Sequence, residues 1–125
     1  MAVGVRTREK DGKKTPTRVF SKKQEDQIAS ATGGSRQPNS GATAWAKGDV
    51  KTEQFLLEAK TKTKPSETIT IHKDWIQKNR EEAVFMGKPY QAIVFNFGPG
   101  EENHYIIDED LFIELLEYLK DKPER

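Results

Sequence analysis

Residues 49–60 read DVKTEQFLLEAK, and this stretch decides the fold. The polar residues 52–53 predict a turn between two extended segments, as in a β-hairpin. Side chains alternate between the two faces of a strand. One predicted face of the second strand carries Phe55, Leu57 and Ala59, and the other carries Leu56, Glu58 and Lys60. Both charged side chains therefore point the same way at the end of an apolar strand.

A helix over residues 21–32 is predicted ahead of this hairpin. Ser21 and Gln24 have the spacing of a capping box, so we expect the helix to begin at Ser21, and glycine at 33 ends it. Glu25 falls on the same face as Ile28 and Ala29. An acid on an apolar face costs free energy unless a partner stabilises it, or unless it reaches solvent at the rim.

The second half of the chain predicts a helix over 73–86, strands over 90–97 and 104–107, and a last helix capped by Asp108. Apolar residues recur at helical spacing in that last helix, and we assign them to core packing. They are Leu111, Phe112, Leu115, Leu116 and Leu119. Helices alternating with strands predict an α/β fold with a central mixed β-sheet flanked by α-helices.

The composition limits the classes of protein that this chain can represent. It has 125 residues, of which 34% are hydrophobic, and a mean hydropathy of −0.85, which predicts one domain with an unpacked part. We expect neither a transmembrane nor a secreted protein, because no apolar run or leader fits either class. The absence of cysteine excludes thiolate metal sites and favours a reducing cytoplasm. Two histidines, His72 and His104, are too few for a histidine-rich metal site.

Charge is distributed unevenly along the chain. Residues 1–64 carry 14 Lys and Arg against 7 Asp and Glu, whereas residues 65–125 carry 7 against 13. The net charges of the halves are therefore +7 and −6, an asymmetry typical of nucleic-acid binders or of an internally neutralised globule. Residues 1–19 predict a disordered basic arm, either for phosphates or for solubility, ahead of a single domain over 20–125.

The hairpin carries the residues with the most informative chemistry. Asp49 and Glu58 lie on adjacent predicted strands, where two carboxylates can converge on a hard divalent cation. Lys60, on the same face as Glu58, can orient a metal-bound water and offset phosphate charge. Phosphodiester hydrolysis needs these groups. The alternative is a solvated strand face without catalytic function.

These residues resemble the PD-(D/E)XK nuclease superfamily, most closely the archaeal-type and phage Holliday-junction resolvases. The similarity covers about residues 20–98, and Gly48 stands where the superfamily's name has proline. The matching elements are Glu25, Arg36, Ser40-Gly41, Gly48-Asp49-Val50 and the strand FLLEAK at 55–60.

The resemblance implies a restriction-endonuclease-like core that uses Mg²⁺, with Mn²⁺ as a substitute. Asp49, Glu58 and the Ala59 carbonyl would bind the metal, and Glu25 would act on it through water. Lys60 would position the attacking water, and Ser40 would lie by the scissile phosphate. For DNA binding the expected residues are Arg36, Lys47, Lys62 and Lys64, the last two of which also suit a solvated loop.

The function that this resemblance implies is Mg²⁺-dependent hydrolysis of DNA, most closely of branched DNA in recombination and repair. Cutting two strands would need a homodimer, for which Trp75, Phe112 and Tyr118 are candidate interface residues. The host would be a bacterial, archaeal or phage-infected cell, and neither a membrane nor a small-molecule cofactor is expected. The open alternatives are a related nuclease for flaps or single strands and a non-catalytic nucleic-acid-binding module.

Overall fold

A computed structural model describes residues 16–37 and 49–122. Within these residues three helices and five strands follow one another along the chain. The elements are α1 (Thr17–Thr32), β1 (Ser35–Arg36), β2 (Val50–Lys51), β3 (Phe55–Lys60), α2 (Lys73–Phe85), β4 (Tyr90–Phe95), β5 (His104–Ile106) and α3 (Glu109–Asp121).

The five described strands form one mixed sheet in the order β1-β2-β3-β4-β5. The pairs β1–β2, β2–β3 and β4–β5 are antiparallel, and β3–β4 is parallel, so α2 serves as the crossover between them. The predicted hairpin is confirmed, with Val50 opposite Leu57. The predicted α/β fold with a mixed sheet flanked by helices is confirmed as well.

The alternation predicted for β3 decides what each face of the sheet contacts. Phe55, Leu57 and Ala59 pack in the main core, together with Ile28 of α1. Leu56 is fully buried on the other face, which α2 covers. Helices α1 and α2 therefore contact β3 from opposite faces of the sheet.

A buried amide joins α2 to the sheet. The Asn79 side chain is 2% exposed, and its Nδ2 group donates to the Gln91 Oε1 atom at 2.8 Å. The same group lies 3.3 Å from the Leu56 carbonyl oxygen and 3.2 Å from that of Ala92. One side chain of α2 therefore contacts both strands of the parallel pair.

Helix α1 begins earlier than the sequence predicted. It starts at Thr17, after Pro16 in an extended conformation, so residues 17–19 belong to the helix and not to a disordered arm. The capping-box prediction for Ser21 is wrong, because its hydroxyl donates to the Arg18 carbonyl oxygen inside the helix. The predicted end is correct, since Gly33 adopts a left-handed conformation with φ of 74°. The rest of the predicted arm, residues 1–15, lies outside the described residues.

The start of α3 is held by a contact between helices. Asp108 occupies the N-cap position, but its carboxylate makes no cap hydrogen bond. Arg80 of α2 donates to it from Nη2 at 2.7 Å and from Nε at 3.3 Å, and Gln91 donates at 3.1 Å. The predicted capping role is therefore wrong, because a charged fork outcompetes the first-turn amides for the carboxylate.

The assignment of the α3 stripe to the core is also wrong. Of its five members, the structure buries Leu111 alone. The other four, Phe112, Leu115, Leu116 and Leu119, are between 42% and 60% exposed. The spacing correctly predicted an amphipathic helix, but an apolar face does not specify what covers it. No helix in the described ranges is both long and apolar enough to cross a membrane.

Candidate active site

Asp49 is fixed at the open end of the hairpin by its own backbone and side chain. Its amide donates to the Leu57 carbonyl oxygen at 3.0 Å, and its carbonyl oxygen accepts from Gln37 at 2.9 Å. The carboxylate Oδ2 atom accepts the Ala59 amide at 2.7 Å. These contacts hold the carboxylate against β3, next to Glu58.

Glu58 and Lys60 point to the same side of β3, as the alternation predicted. The Glu58 Oε2 atom lies 3.4 Å from the Lys60 ammonium, and the two side chains are 25% and 27% exposed. The ammonium also lies 4.6 Å from the ring centroid of Trp75, on α2. An aromatic face within about 6 Å attracts a cation. Lys60 is therefore held from two sides.

The environment of Glu58 disfavours its ionised form. Burial is the main reason why its pKa rises from 4.5 to about 7, and repulsion by Asp49 adds to the rise. Attraction by Lys60 offsets only part of it, while Glu82 on α2 raises it further. The carboxylates of Asp49 and Glu58 thus share one ammonium, that of Lys60, and additional positive charge would stabilise their ionised forms.

Glu25 belongs to the same electrostatic group, from the other helical layer. It is 15% exposed, and its Oε1 atom accepts from Arg36 Nε at 3.2 Å. Burial and then the charge of Asp49 raise the pKa of Glu25, and Arg36 lowers it. The acid on the apolar face of α1 is thus paired with an arginine. The sequence left open whether Glu25 has a stabilising partner or reaches solvent, and the structure shows that it has a partner, Arg36.

A hydrogen-bond network connects α1 to the strand ends next to the site. Gln24, next to Glu25 on α1, is 2% exposed. Its Oε1 atom accepts from the Thr61 hydroxyl at 2.7 Å, and its Nε2 group donates to Asn103 at 3.3 Å. Asn96 also donates to Asn103, at 3.2 Å. These bonds tie α1 to the ends of β3 and β4, where the acids lie.

The donor set bears on which cation the site can accept. In the part of the chain that the structure describes, no three histidine or acidic side chains form a ready metal-binding cluster. Mg²⁺ needs no such cage, because it usually keeps several waters and takes one or two carboxylates from the protein. Asp49 and Glu58 fit that requirement. They do not fit a cation that needs a closed set of protein ligands.

The other predicted site residues are placed in different ways. Ala59 is positioned beside Asp49 by the hydrogen bond described above. Lys62 and Lys64 follow β3 in a loop, half-buried and exposed respectively. Ser40 and Lys47 lie outside the described residues. Two of the predicted dimer residues, Phe112 and Tyr118, are exposed on α3, whereas Trp75 contacts Lys60.

Two features of the site were not predicted. Trp75 was predicted as a candidate interface residue, and nothing in the sequence indicated its contact with Lys60. The second feature is an open cleft of about 620 Å³ beside Glu25, lined in part by four cations. These are Arg18, Lys22, Lys23 and Arg36. The closely spaced basic residues Arg18, Lys22 and Lys23 could have indicated this cleft. The sequence analysis assigned Arg18 to the disordered arm and the two lysines to the helix, so they were not considered together.

Comparison of the chain with protein-family models, with curated proteins and with solved structures gave no match.

Proposed function

We propose that this protein is a Mg²⁺-dependent endonuclease that hydrolyses DNA phosphodiester bonds, with branched DNA such as four-way junctions as its substrate. The observation that carries the proposal is the convergence of Asp49, Glu58 and Lys60 at one end of β3. Two acids and one amine in this arrangement supply the ligands and the cation that phosphodiester hydrolysis needs. The resemblance to the resolvases favours branched DNA among the possible substrates.

The side chains have distinct roles in this proposal. Asp49 and Glu58, with the Ala59 carbonyl, would hold Mg²⁺, which supplies Lewis-acid help and an activated water when bound. Lys60 orients the attacking water and offsets charge at the phosphate, and Trp75 together with Glu58 limits the positions that its ammonium can adopt. Glu25 contributes through a water, while Arg36 keeps its carboxylate in place.

The cationic cleft supports the choice of a nucleic acid as substrate. It lies next to Glu25, so a phosphate backbone bound along the first turns of α1 would lead towards the acids. Lys62 and Lys64 would contact phosphates on the far side of β3. With no cysteine in the chain, the compartment that we propose is the reducing cytoplasm of a bacterial, archaeal or phage-infected cell.

The decisive experiment is a cleavage assay on a panel of labelled DNA substrates with Mg²⁺. Four-way junctions, flaps, plain duplexes and single strands are incubated with the protein at equal concentration. We expect Mg²⁺-dependent products, with junctions cut fastest. If flaps or single strands are cut fastest, the proposed hydrolysis is retained and the proposed branched substrate is wrong. Binding without any cleavage would instead show a non-catalytic module.

Two variants test which residues perform the chemistry. Glu58→Ala and Lys60→Ala should each lower the cleavage rate by at least about 100-fold while DNA is still bound. The matched controls are Glu81→Ala and Lys78→Ala, which alter exposed residues of the same types on α2 and should cleave normally. If both site variants cleave as fast as the controls, the assignment of the active site is wrong.

A further inference from the structure

Three aromatic side chains form a cluster at the carboxyl ends of the central strands. The ring centroids of Phe95 and His104 are 5.4 Å apart, and that of Phe97 lies 5.5 Å from the first and 5.7 Å from the second. The side chains of the main core are almost fully buried, whereas the two phenylalanines are half-buried and the His104 side chain is 42% exposed. This ring cluster therefore keeps part of its aromatic surface open to solvent.

The register of the sheet places the ring cluster next to Lys60. Phe95 is the direct partner of Lys60 in the parallel pair β3–β4, and His104 is the partner of Phe95 in the pair β4–β5. Side chains of directly paired residues point to the same face of a sheet, so the cluster lies on the face that carries Glu58 and Lys60. Neighbouring strands are about 4.8 Å apart. A phosphate bound at Lys60 would therefore lie about one strand spacing from the strand that carries Phe95.

The chemistry of the ring cluster favours a nucleobase over a phosphate. Every base has a π-face that stacks on an aromatic ring, but a base inside a duplex is already stacked on its neighbours and cannot reach one. Acids border the cluster and disfavour phosphates there. The Glu102 carboxylate lies 3.8 Å from His104 Nε2, and Glu67 and Glu101 line an open hollow of about 410 Å³ together with Phe97. The backbone of a bound strand would instead follow the lysines of β3 and the loop after it.

We propose that the ring cluster binds an unpaired nucleobase of the DNA strand whose phosphate Lys60 contacts. The inference rests on the proposed function and narrows its substrate to DNA in which a nucleotide next to the scissile phosphate is unpaired. Single strands and flaps present such bases directly, and a branch point presents them when the base pairs at the ends of its arms open. The Trp75 ring already lies against the Lys60 ammonium, so the ring cluster supplies the aromatic surface for the base.

The test is DNA binding by the full chain in EDTA, measured by fluorescence anisotropy at constant salt. The probes are a labelled duplex with a single-stranded gap and the same duplex without the gap. The wild type should bind the gapped duplex about tenfold more tightly than the paired one. Phe97→Leu keeps an apolar side chain but removes the ring, so it should abolish this preference and leave the affinity for the paired duplex unchanged. Phe97→Tyr keeps a ring at the same position and should retain the preference.

The matched control is Tyr105→Leu, which removes an exposed ring from the opposite face of β5. Tyr105 is 40% exposed and pairs with the core residue Val94, and its variant should bind both probes as the wild type does. A wild type that binds both probes equally overturns the proposal, and so does a Phe97→Leu variant that retains the preference. An equal loss of affinity for both probes also overturns it, because the ring would then serve only the fold. A ring-dependent preference without cleavage under Mg²⁺ would keep the base site and refute the proposed hydrolysis.

Discussion

Replacing Glu58 with glutamine should stabilise the metal-free protein at alkaline pH. The change keeps the shape of the side chain and removes a charge that the folded state disfavours. Burial and Asp49 raise the pKa of Glu58 from 4.5 to about 7, even with Lys60 beside it. In the unfolded chain the same carboxyl group is solvated and ionises near 4.5, so ionisation above that pH costs folding free energy.

The sign and the size of the effect follow from these two values. Below pH 4.5 the group is protonated in both states, and the substitution changes little. The cost grows as pH rises towards 7 and is constant above it. A pKa raised from 4.5 to about 7 corresponds to about 3 kcal/mol. The advantage of Glu58→Gln should therefore grow from under about 1 kcal/mol at pH 5 to about 3 kcal/mol at pH 8.

Urea unfolding at pH 5, 6.5 and 8 in the presence of EDTA measures this difference. Glu81→Gln, at an exposed glutamate of α2, is the control and should track the wild type at each pH. Adding Mg²⁺ at pH 8 should raise the stability of the wild type and leave Glu58→Gln nearly unchanged. A variant that is equally or less stable than the wild type at pH 8 would refute the reasoning, because Glu58 would then carry no electrostatic cost.

Three further predictions concern the surroundings of the site. Gly34→Ala should destabilise the fold by about 1–3 kcal/mol in urea unfolding, because the added Cβ would lie 2.5 Å from the Lys51 carbonyl oxygen and push β1 away from β2. Gln24→Ala should cost about 1–3 kcal/mol by the same measurement, since it leaves buried polar partners of Gln24 unsatisfied; an unchanged midpoint would argue against the network. Lys23→Ala should weaken DNA binding on every substrate and reduce the slope of log affinity against log salt by about 1, and an unaltered slope would exclude Lys23 from phosphate contact.

Strand alternation predicted the central part of the molecule because its cause is local. Once residues 55–60 are extended, the period of two places Glu58 and Lys60 on one face, and the structure confirms that placement. The three-residue link between β2 and β3 likewise leaves little alternative to an antiparallel pair. Gly33 ended α1 as predicted, because its positive φ is unfavourable for other residue types.

Predictions that depended on contacts with residues distant in the sequence were less accurate than those that depended on local structure. Asp108 has a helix-capping side chain, yet Arg80, 28 residues earlier, binds its carboxylate. Trp75 was a candidate for an interface between subunits, yet it contacts Lys60 of β3 within the same chain. The spacing of apolar residues in α3 is the same whether a sheet or another chain covers them. A sequence pattern reports which face is apolar, and the tertiary fold decides what meets it.

The Asn79 amide has a consequence for how α2 can change over time. An apolar side chain at position 79 could be buried as completely as asparagine. Its packing would, however, be equally favourable at several offsets of the helix along β3 and β4, because apolar contacts are not directional. The two N–H hydrogens of the amide are shared among the Gln91 Oε1 atom and the carbonyl oxygens of Leu56 and Ala92, and these three acceptors lie within reach at one offset only. We therefore expect Asn79 to fix the offset of α2 along β3 and β4, so that the helix cannot slide along the sheet without losing these contacts.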